Sequence, residues 1–308
     1  MDLKQLRYYL AIAEEGSFSR AAARLGVAQP ALSLHVRKME ESLGTPLLLR
    51  GPQGVTPTEA GELLARRART LLEDFDQTEE EVRSLGREPT GTVRLGLPGT
   101  ISGILSVPLI ARCRARYPQI KIVIAEAMSG FVAEWLQEGR IEIAVLYSEL
   151  REPGLRAEAL LEEELVMLLP PGAEQTAPLS FDALTRWPLI LPSRAHGLRK
   201  MLERKMRTQR IPLETAIDVD SYTSIKRLVE NGYGCSVLPY HSVAEEGRDG
   251  RLTVQRFAEP RLWRGAYLAQ ATPQRMTRAA SAVSDLLKEA VAELIADRSW
   301  AGARPPAG

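Results

Sequence analysis

The chain has 308 residues, 44% of them hydrophobic and 26% charged. It is too long for one ordinary core and has the composition of soluble globular domains, so two or three domains are expected. No apolar run approaches the roughly 20 residues that span a bilayer, and the opening MDLKQLRYYLAIAEEG carries Asp2 and no small-residue cleavage site, which argues against a membrane span and a signal peptide and for a cytoplasmic protein. The formal net charge of +1 excludes a chain that is basic throughout, so any nucleic-acid site must be a local feature.

Asp2–Glu14 is predicted as a helix with Leu3, Leu6, Leu10 and Ala13 on one face. From Gly16 to Gly44 the chain reads as two short helices broken at Gly26. Ser17 or Ser19 caps the first, and Ala21, Ala22 and Ala23 let a second helix cross it closely, as a helix-turn-helix requires. In the second helix Leu32, Val36, Met39 and Leu43 form a core stripe, while Gln29, Pro30, Ser33 and Arg37 share another arc. An amide, a hydroxyl and a guanidinium are groups that read base edges or grip phosphates. Arg20, Arg24, Arg37, Lys38 and Arg50 supply local positive charge, with Glu14, Glu15, Glu40 and Glu41 expected at helix ends away from DNA. Thr45–Pro57 holds two apolar runs split by Gly51-Pro52 and Gln53-Gly54, which predicts a winged hairpin. Arg50 at its shoulder suits a minor groove or a phosphate; a solvated loop is the plainer alternative.

Thr58–Leu85 is predicted as one long helix capped by Thr58. Leu64, Ala68, Leu71, Phe75, Thr78, Val82 and Leu85 alternate by four and three, the seam of a two-stranded coiled coil. Gly86–Gly91 is a hinge. From Thr92 the period changes: strands at Thr92–Leu97, Ile120–Ala127 and Ile141–Tyr147 alternate with helices at Ile104–Tyr117 and Phe131–Gly139. The alternation recurs with strands at Leu189–Leu191, Ala216–Val219 and Cys235–Leu238 and helices at Leu198–Gln209 and Ile225–Asn231. Such β-α-β series mean parallel sheets covered by helices, here in two subdomains with a cleft between them. Tyr267–Ala271 is a returning strand, Thr277–Ile295 a long amphipathic helix, and the ending GARPPAG a disordered tail. Cys113 and Cys235 lie far apart in apolar contexts and read as buried free thiols in a reducing compartment.

In open parallel sheets, ligands sit beyond the carboxyl ends of strands against helix N-termini. Thr100, Ser102, Ser129 and Tyr147 fall at such places in the first subdomain, and Ser193, His196 and Thr223 in the second. Hydroxyls beside free N–H groups suit a small anion, although Ser and Thr are also ordinary helix caps. Arg199 faces either the cleft or solvent. With three histidines and no GxSxG, CxxC, phosphate-loop or dinucleotide fingerprint in a strand–helix setting, neither a catalytic site nor a metal site is expected, and no cofactor.

Three strings in order, LRYYLAIAEEGSFSRAAARLGVAQPALS, VRKMEESLGTPLLLR and TPTEAG, resemble the DNA-binding domain of LysR-type transcriptional regulators, and the remaining length and layout follow that family. The resemblance implies an α/β multidomain chain. Its parts are a winged helix-turn-helix over 1–57, a coiled-coil dimerisation helix and hinge over 58–91, and a two-lobed, periplasmic-binding-protein-like effector domain over 92–308. Lobe 1 would span about 92–161 and 268–300, and lobe 2 about 162–267. It also implies double-stranded DNA as partner, contacted by Ser17, Arg20, Gln29, Pro30, Ser33, Leu34, Arg37 and Arg50. A small effector would sit at Thr100, Ser102, Ser129, Tyr147, Ser193, His196 and Thr223. The family further implies a homodimer through 58–85, assembly as a homotetramer, contact with RNA polymerase and no membrane. This chain departs from the family's common residues in Leu34, where Arg is frequent, in His35 for Gln, and in the wing pair Leu47-Leu48 for Leu-Phe. The competing classes, a solute-binding protein and a cleft enzyme, leave the N-terminal third unexplained.

Overall fold

The computed structural model describes residues 1–51, 54–83, 88–174, 179–272 and 276–306, and within them the side chains of all but 73, 77, 80, 81 and 83. These residues fall into two compact units, Met1–Arg87 and Glu88–Gly308.

The first unit begins with three helices, α1 (Leu3–Glu15), α2 (Phe18–Leu25) and α3 (Gln29–Leu43). Asp2 caps α1 in a reciprocal box with Gln5, Ser17 caps α2, and Gly16, Gly26 and Gly44 end the three helices in the left-handed region. Tyr9, Ile12, Ala21, Leu32, Val36 and Met39 close one core. Leu43 is exposed, not part of that stripe as its spacing predicted, because it stands in the last turn of α3, past the packed helices. Strands β1 (Leu48–Gly51) and β2 (Gly54–Pro57) form the antiparallel wing. The Val55 N–H donates to the Gly16 carbonyl at 2.9 Å. A Cβ on Gly54 would stand 2.5 Å from that same oxygen, so glycine is what lets the wing sit against the α1–α2 turn.

Helix α4 (Glu59–Arg83) starts where Thr58 accepts the Gly61 N–H. It carries two apolar stripes. Ala65, Ala68 and Leu72 are buried in the first unit's own core. Ala68 therefore leaves the predicted seam, because the first turns of α4 pack on α1. Leu71, Phe75 and Val82 are 50%, 40% and 64% exposed, and Thr78 is exposed too. Leu85 and the first two residues of the predicted hinge, 86 and 87, lie outside the described residues.

The second unit opens with β3 (Gly91–Leu97), α5 (Gly99–Arg116), β4 (Ile120–Glu126), α6 (Ser129–Gln137) and β5 (Ile143–Leu146). Helix α5 begins five residues before the predicted Ile104, so Thr100 and Ser102 lie inside its first turns. Next comes β6 (Leu155–Leu169), a 15-residue strand where none was predicted. Then follow β7 (Ile190–Leu191), α7 (Gly197–Thr208), β8 (Ile217–Asp218), α8 (Tyr222–Glu230), β9 (Ser236–Pro239), α9 (Ala244–Arg248), the unpredicted β10 (Thr253–Arg256), β11 (Trp263–Ala271), α10 (Arg278–Ala296) and β12 (Ala303–Arg304). The sheet runs β10-β6-β11-β5-β3-β4, with β9 and β12 also on β6. It is mixed rather than all parallel: β3 is parallel to β4 and β5, but β11 runs antiparallel to β5 and β6.

Strand β6, and Leu262 together with the β11 that it leads into, cross from one core to the other. Leu161 and Ala266 belong to a cluster with α5 and α10, whereas Leu165 and Leu262 belong to a cluster with α7 and α8. The described part of the predicted tail is docked, not disordered as expected: Trp300 just before it is buried and Ala303–Arg304 pairs with Glu163–Glu162 of β6. Cys113 and Cys235 are buried free thiols, and burial pushes both above the ordinary value, Cys235 up to about 12.

Candidate functional site

On the first unit, Gln29 and Pro30 form the first turn of α3, which has no side-chain cap. Both are exposed, as are Leu34 and Arg37, with Ser33 half-buried beside them. The open helix start and the exposed arc are what a phosphate backbone and base edges require. Arg37 is paired to Glu41 at 2.8 Å, so that acid shares the arc rather than standing away from it. Glu40 accepts the Leu47 N–H at 2.8 Å and Leu48 N–H at 3.2 Å, tying α3 to the wing. Ser17 spends its hydroxyl on the Arg20 N–H. The Arg20 side chain reaches the Glu15 carbonyl, and Arg24 pairs with Glu14 and Glu15. Arg50 stays exposed, its guanidinium 4.8 Å over the Phe18 ring.

On the second unit the predicted hydroxyls separate into two groups. Thr100 and Tyr147 meet, oxygen to oxygen, at 2.7 Å. His196 caps α7, its Nδ1 accepting the Leu198 N–H at 3.2 Å, with its ring 5.6 Å from Tyr222. Ser102 instead pairs with Ser106 along α5. Ser129 opens α6 without capping it. Ser193 donates its N–H to Asp220, and Thr223 is exposed on α8. Arg199 faces neither the cleft nor solvent: it is 2% exposed and tied to Glu203 and Asp218.

The centre around which Thr100, Tyr147 and His196 gather is Arg264 of β11, absent from the predicted set. It is 3% exposed. Its Nη2 donates to Glu163, directly opposite on β6, at 2.8 Å. The guanidinium lies 3.5 Å over the Tyr147 ring. Its Nε and Nη1 are buried with no hydrogen-bond partner among the described residues. Burial opposes the charge, yet Tyr147, Glu163 and Tyr222 together hold the guanidinium above its ordinary range. Burial pushes the Tyr147 and Tyr222 hydroxyls up as well, against the pull of Arg264. Burial, then the Arg264 charge, lowers His196 to about 4, opposed by Asp220.

His241, between β9 and α9, joins the lobes. Its Nε2 stands 3.1 Å from the Thr100 carbonyl of lobe 1. Its Nδ1 is 3.3 Å from Trp300 Nε1 and 3.4 Å from Glu163 Oε1. Glu163, Tyr222, His241, Trp300 and Arg264 went unmarked in the sequence. The available signal was alternation in WRGAYLAQA, which puts Arg264 on the face of buried Ala266 and Leu268. An open groove of about 940 Å³ lies elsewhere, beside β10, and none of these cleft residues lines it.

A helix-turn-helix with a wing, an apolar-striped helix and a two-lobed α/β domain define a regulator with separate DNA and ligand domains. Residues 3–62 match the family described as bacterial regulatory helix-turn-helix protein, lysR family, and residues 86–292 match the LysR substrate binding domain. The chain belongs to the LysR family of transcriptional regulators. It is 28% identical over 304 residues to the nitrogen assimilation regulatory protein nac of Escherichia coli strain K12, covering 97% of this chain and 99% of that one. It is 31% identical over 296 residues to a probable hydrogen peroxide-inducible genes activator of Streptomyces viridosporus, covering 95% of each. A full-length OxyR from Pseudomonas aeruginosa, a cysteine-to-aspartate variant, superposes with a TM-score of 0.73 at 25% identity, covering 94% of this chain and 97% of that one.

Proposed function

We propose that this regulator reads operator DNA through Gln29, Pro30, Ser33, Leu34 and Arg37 of α3, with Ser17, Arg20 and Arg50 at the backbone. A small anionic metabolite seated between the lobes modulates that binding. The observation that carries the ligand reading is Arg264: a buried guanidinium with two unpartnered donors is a standing demand for an acceptor. Thr100, Tyr147, His196 and Tyr222 surround it, and Ser102, Ser129, Ser193 and Thr223 form the outer rim of the same cleft. Coupling between the two sites is worth typically 1–3 kcal/mol in such systems. The exposed stripe of Leu71, Phe75 and Val82 supports a homodimer through α4. Pairs of dimers would form a homotetramer that contacts RNA polymerase in the cytoplasm.

The test is titration of operator and scrambled duplex by wild type and Gln29→Ala, with and without candidate metabolites. A lost base contact costs the operator complex roughly 1–3 kcal/mol and spares the scrambled one. Equal losses on both duplexes, or operator binding indifferent to every cleft ligand, would refute the corresponding half of the proposal.

A further inference from the structure

The charges of the cleft already balance. Arg264 faces Glu163 across the β6–β11 ladder, and burial keeps His196 and His241 neutral, against the pull of Asp220 and Glu163 respectively. An anion placed on the free Nε and Nη1 of Arg264 would bring an uncompensated charge into a buried cluster, which is costly unless a proton comes with it.

Two histidines could take that proton, and their hydrogen bonds tell them apart. His196 already uses Nδ1 to accept the Leu198 N–H. Its neutral form therefore carries hydrogen on Nε2, and a second proton on Nδ1 would uncap α7 and find no new partner. His241 also starts with hydrogen on Nε2, because Trp300 Nε1, which can only donate, points at Nδ1 while Nε2 meets the Thr100 carbonyl. But its Nδ1 stands 3.4 Å from Glu163 Oε1, a buried oxygen with no hydrogen-bond donor. Two acceptors face each other there. A proton on Nδ1 gives up the Trp300 contact and gains a charge-assisted bond to Glu163. His241 is faced by Glu163 from β6, Arg264 from β11, the Thr100 carbonyl from α5 and Trp300 from the C-terminal segment, and Tyr147 and Tyr222 lie against Arg264.

We propose that the cleft takes its anion together with one proton, which settles on His241 and engages Glu163, so that the ligand headgroup is a singly charged weak-acid anion of the carboxylate class. Arg264 holds the carboxylate, and Glu163 changes its partner from guanidinium toward imidazolium. A doubly charged oxyanion such as sulfate finds a single proton acceptor and is bound less well. This deepens the reading of the cleft as the effector site and rests on it.

The chain has three histidines, so ring nitrogen-15 resonances of the full-length protein are assignable with His35→Gln and His196→Asn. Sodium acetate is titrated against sodium chloride at matched ionic strength, with sodium sulfate as the dianion control. Acetate is expected to move His241 Nδ1 alone to the protonated position. Its affinity should rise as pH falls through the His241 titration, by up to tenfold per pH unit for one proton. Glu163→Gln should bind acetate more tightly and without that pH dependence. Should Glu163→Gln fail to fold, His241→Gln, which keeps the Arg264–Glu163 pair, should bind acetate with the pH dependence gone. Acetate bound with His241 still neutral, pH-independent binding in wild type, or no acetate binding overturns the proposal. A metabolite that alters operator binding without protonating His241 overturns it too and leaves the regulator reading intact. Proton-coupled acetate binding in a chain whose operator binding ignores every cleft ligand sustains it and removes the regulatory role instead.

Discussion

Two arginines in the effector domain are almost equally buried, Arg199 at 2% and Arg264 at 3% exposed, yet their surroundings differ in kind. Arg199 on α7 spreads its donors over two carboxylates, Glu203 at 2.8 Å and Asp218 at 3.4 Å, whose side chains remain 26% and 51% exposed. Its partners keep their hydration, so the triad is a strut between α7 and β8. Arg264 has one carboxylate partner, itself 1% exposed, with the Tyr222 hydroxyl also against it, and its Nε and Nη1 find no acceptor among the described residues. Burial alone does not mark a ligand site. What separates a strut from a receptor is whether the donors are used up and whether the partner could still be solvated if the arginine left.

The largest effect should come from Arg264→Met. It strands the Glu163 carboxylate in a dry site, at about 3–5 kcal/mol of stability. Adding Glu163→Gln should restore most of that while leaving the cleft unable to take an anion. Urea midpoints of the single and double variants check this, and a double variant no more stable than the single would mean that the pair is not the source of the loss. Arg199→Met should cost less, about 1–2 kcal/mol, since Glu203 and Asp218 relax into water. It should also leave the effector response intact. If both methionine variants lose the same stability, the distinction between strut and receptor collapses.

Acidification sharpens the contrast from another side. His196 has a folded value of about 4 against about 6.5 unfolded. The unfolded chain therefore binds more protons in this window, and stability is full above pH 6.5 and falls as pH drops toward 4. Partial exposure limits the effect to on the order of 1–2 kcal/mol. His196→Asn, which keeps an acceptor at the cap, should flatten that slope, whereas Arg199→Met should not alter it. The smallest change in stability is expected for Thr100→Val. It removes one neutral hydrogen bond to Tyr147 at about 1 kcal/mol, but it should cost an effector that uses this hydroxyl tenfold or more. A variant with wild-type effector titration would confine Thr100 to holding the Tyr147 ring beneath Arg264.

The exposed arc of α3, the proposed DNA-binding face, was the more legible part of the molecule. This polar arc is largely solvent-exposed and the core stripe of the helix periodic, so Gln29, Pro30, Ser33 and Arg37 emerge from spacing alone, whereas Leu34 comes from the family resemblance. Leu43 and Ala68 were misplaced because spacing shows which residues share a face but not where the packed neighbour ends. The cleft was legible only at its helix starts. Strand β6 reads LRAEALLEEELVMLL, a string of good helix formers, and is extended because strands β11, β12, β9 and β10 claim its edges. Glu162, Glu163 and Glu164 look like a solvated run. Each is instead matched by a distant arginine: Arg304, Arg264, and the pair Arg256 and Arg261. Such pairings, between residues 97 to 142 positions apart in the three that are hydrogen-bonded, leave no local periodicity to read.

The crossing of β6 and β11 also sets an order of assembly. Lobe 2, from Leu165 to Leu262, is inserted within lobe 1, whose core draws on Val93 to Leu161 and then on Ala266 to Trp300. A ribosome adding roughly 5–20 residues per second completes lobe 2 first. Ile101, Leu105 and Leu109 wait for α10 through roughly ten to forty seconds of synthesis. A message cut short between Leu262 and Arg278 would yield a finished lobe 2 attached to an apolar half-lobe, a product that chaperones and proteases would meet before DNA does.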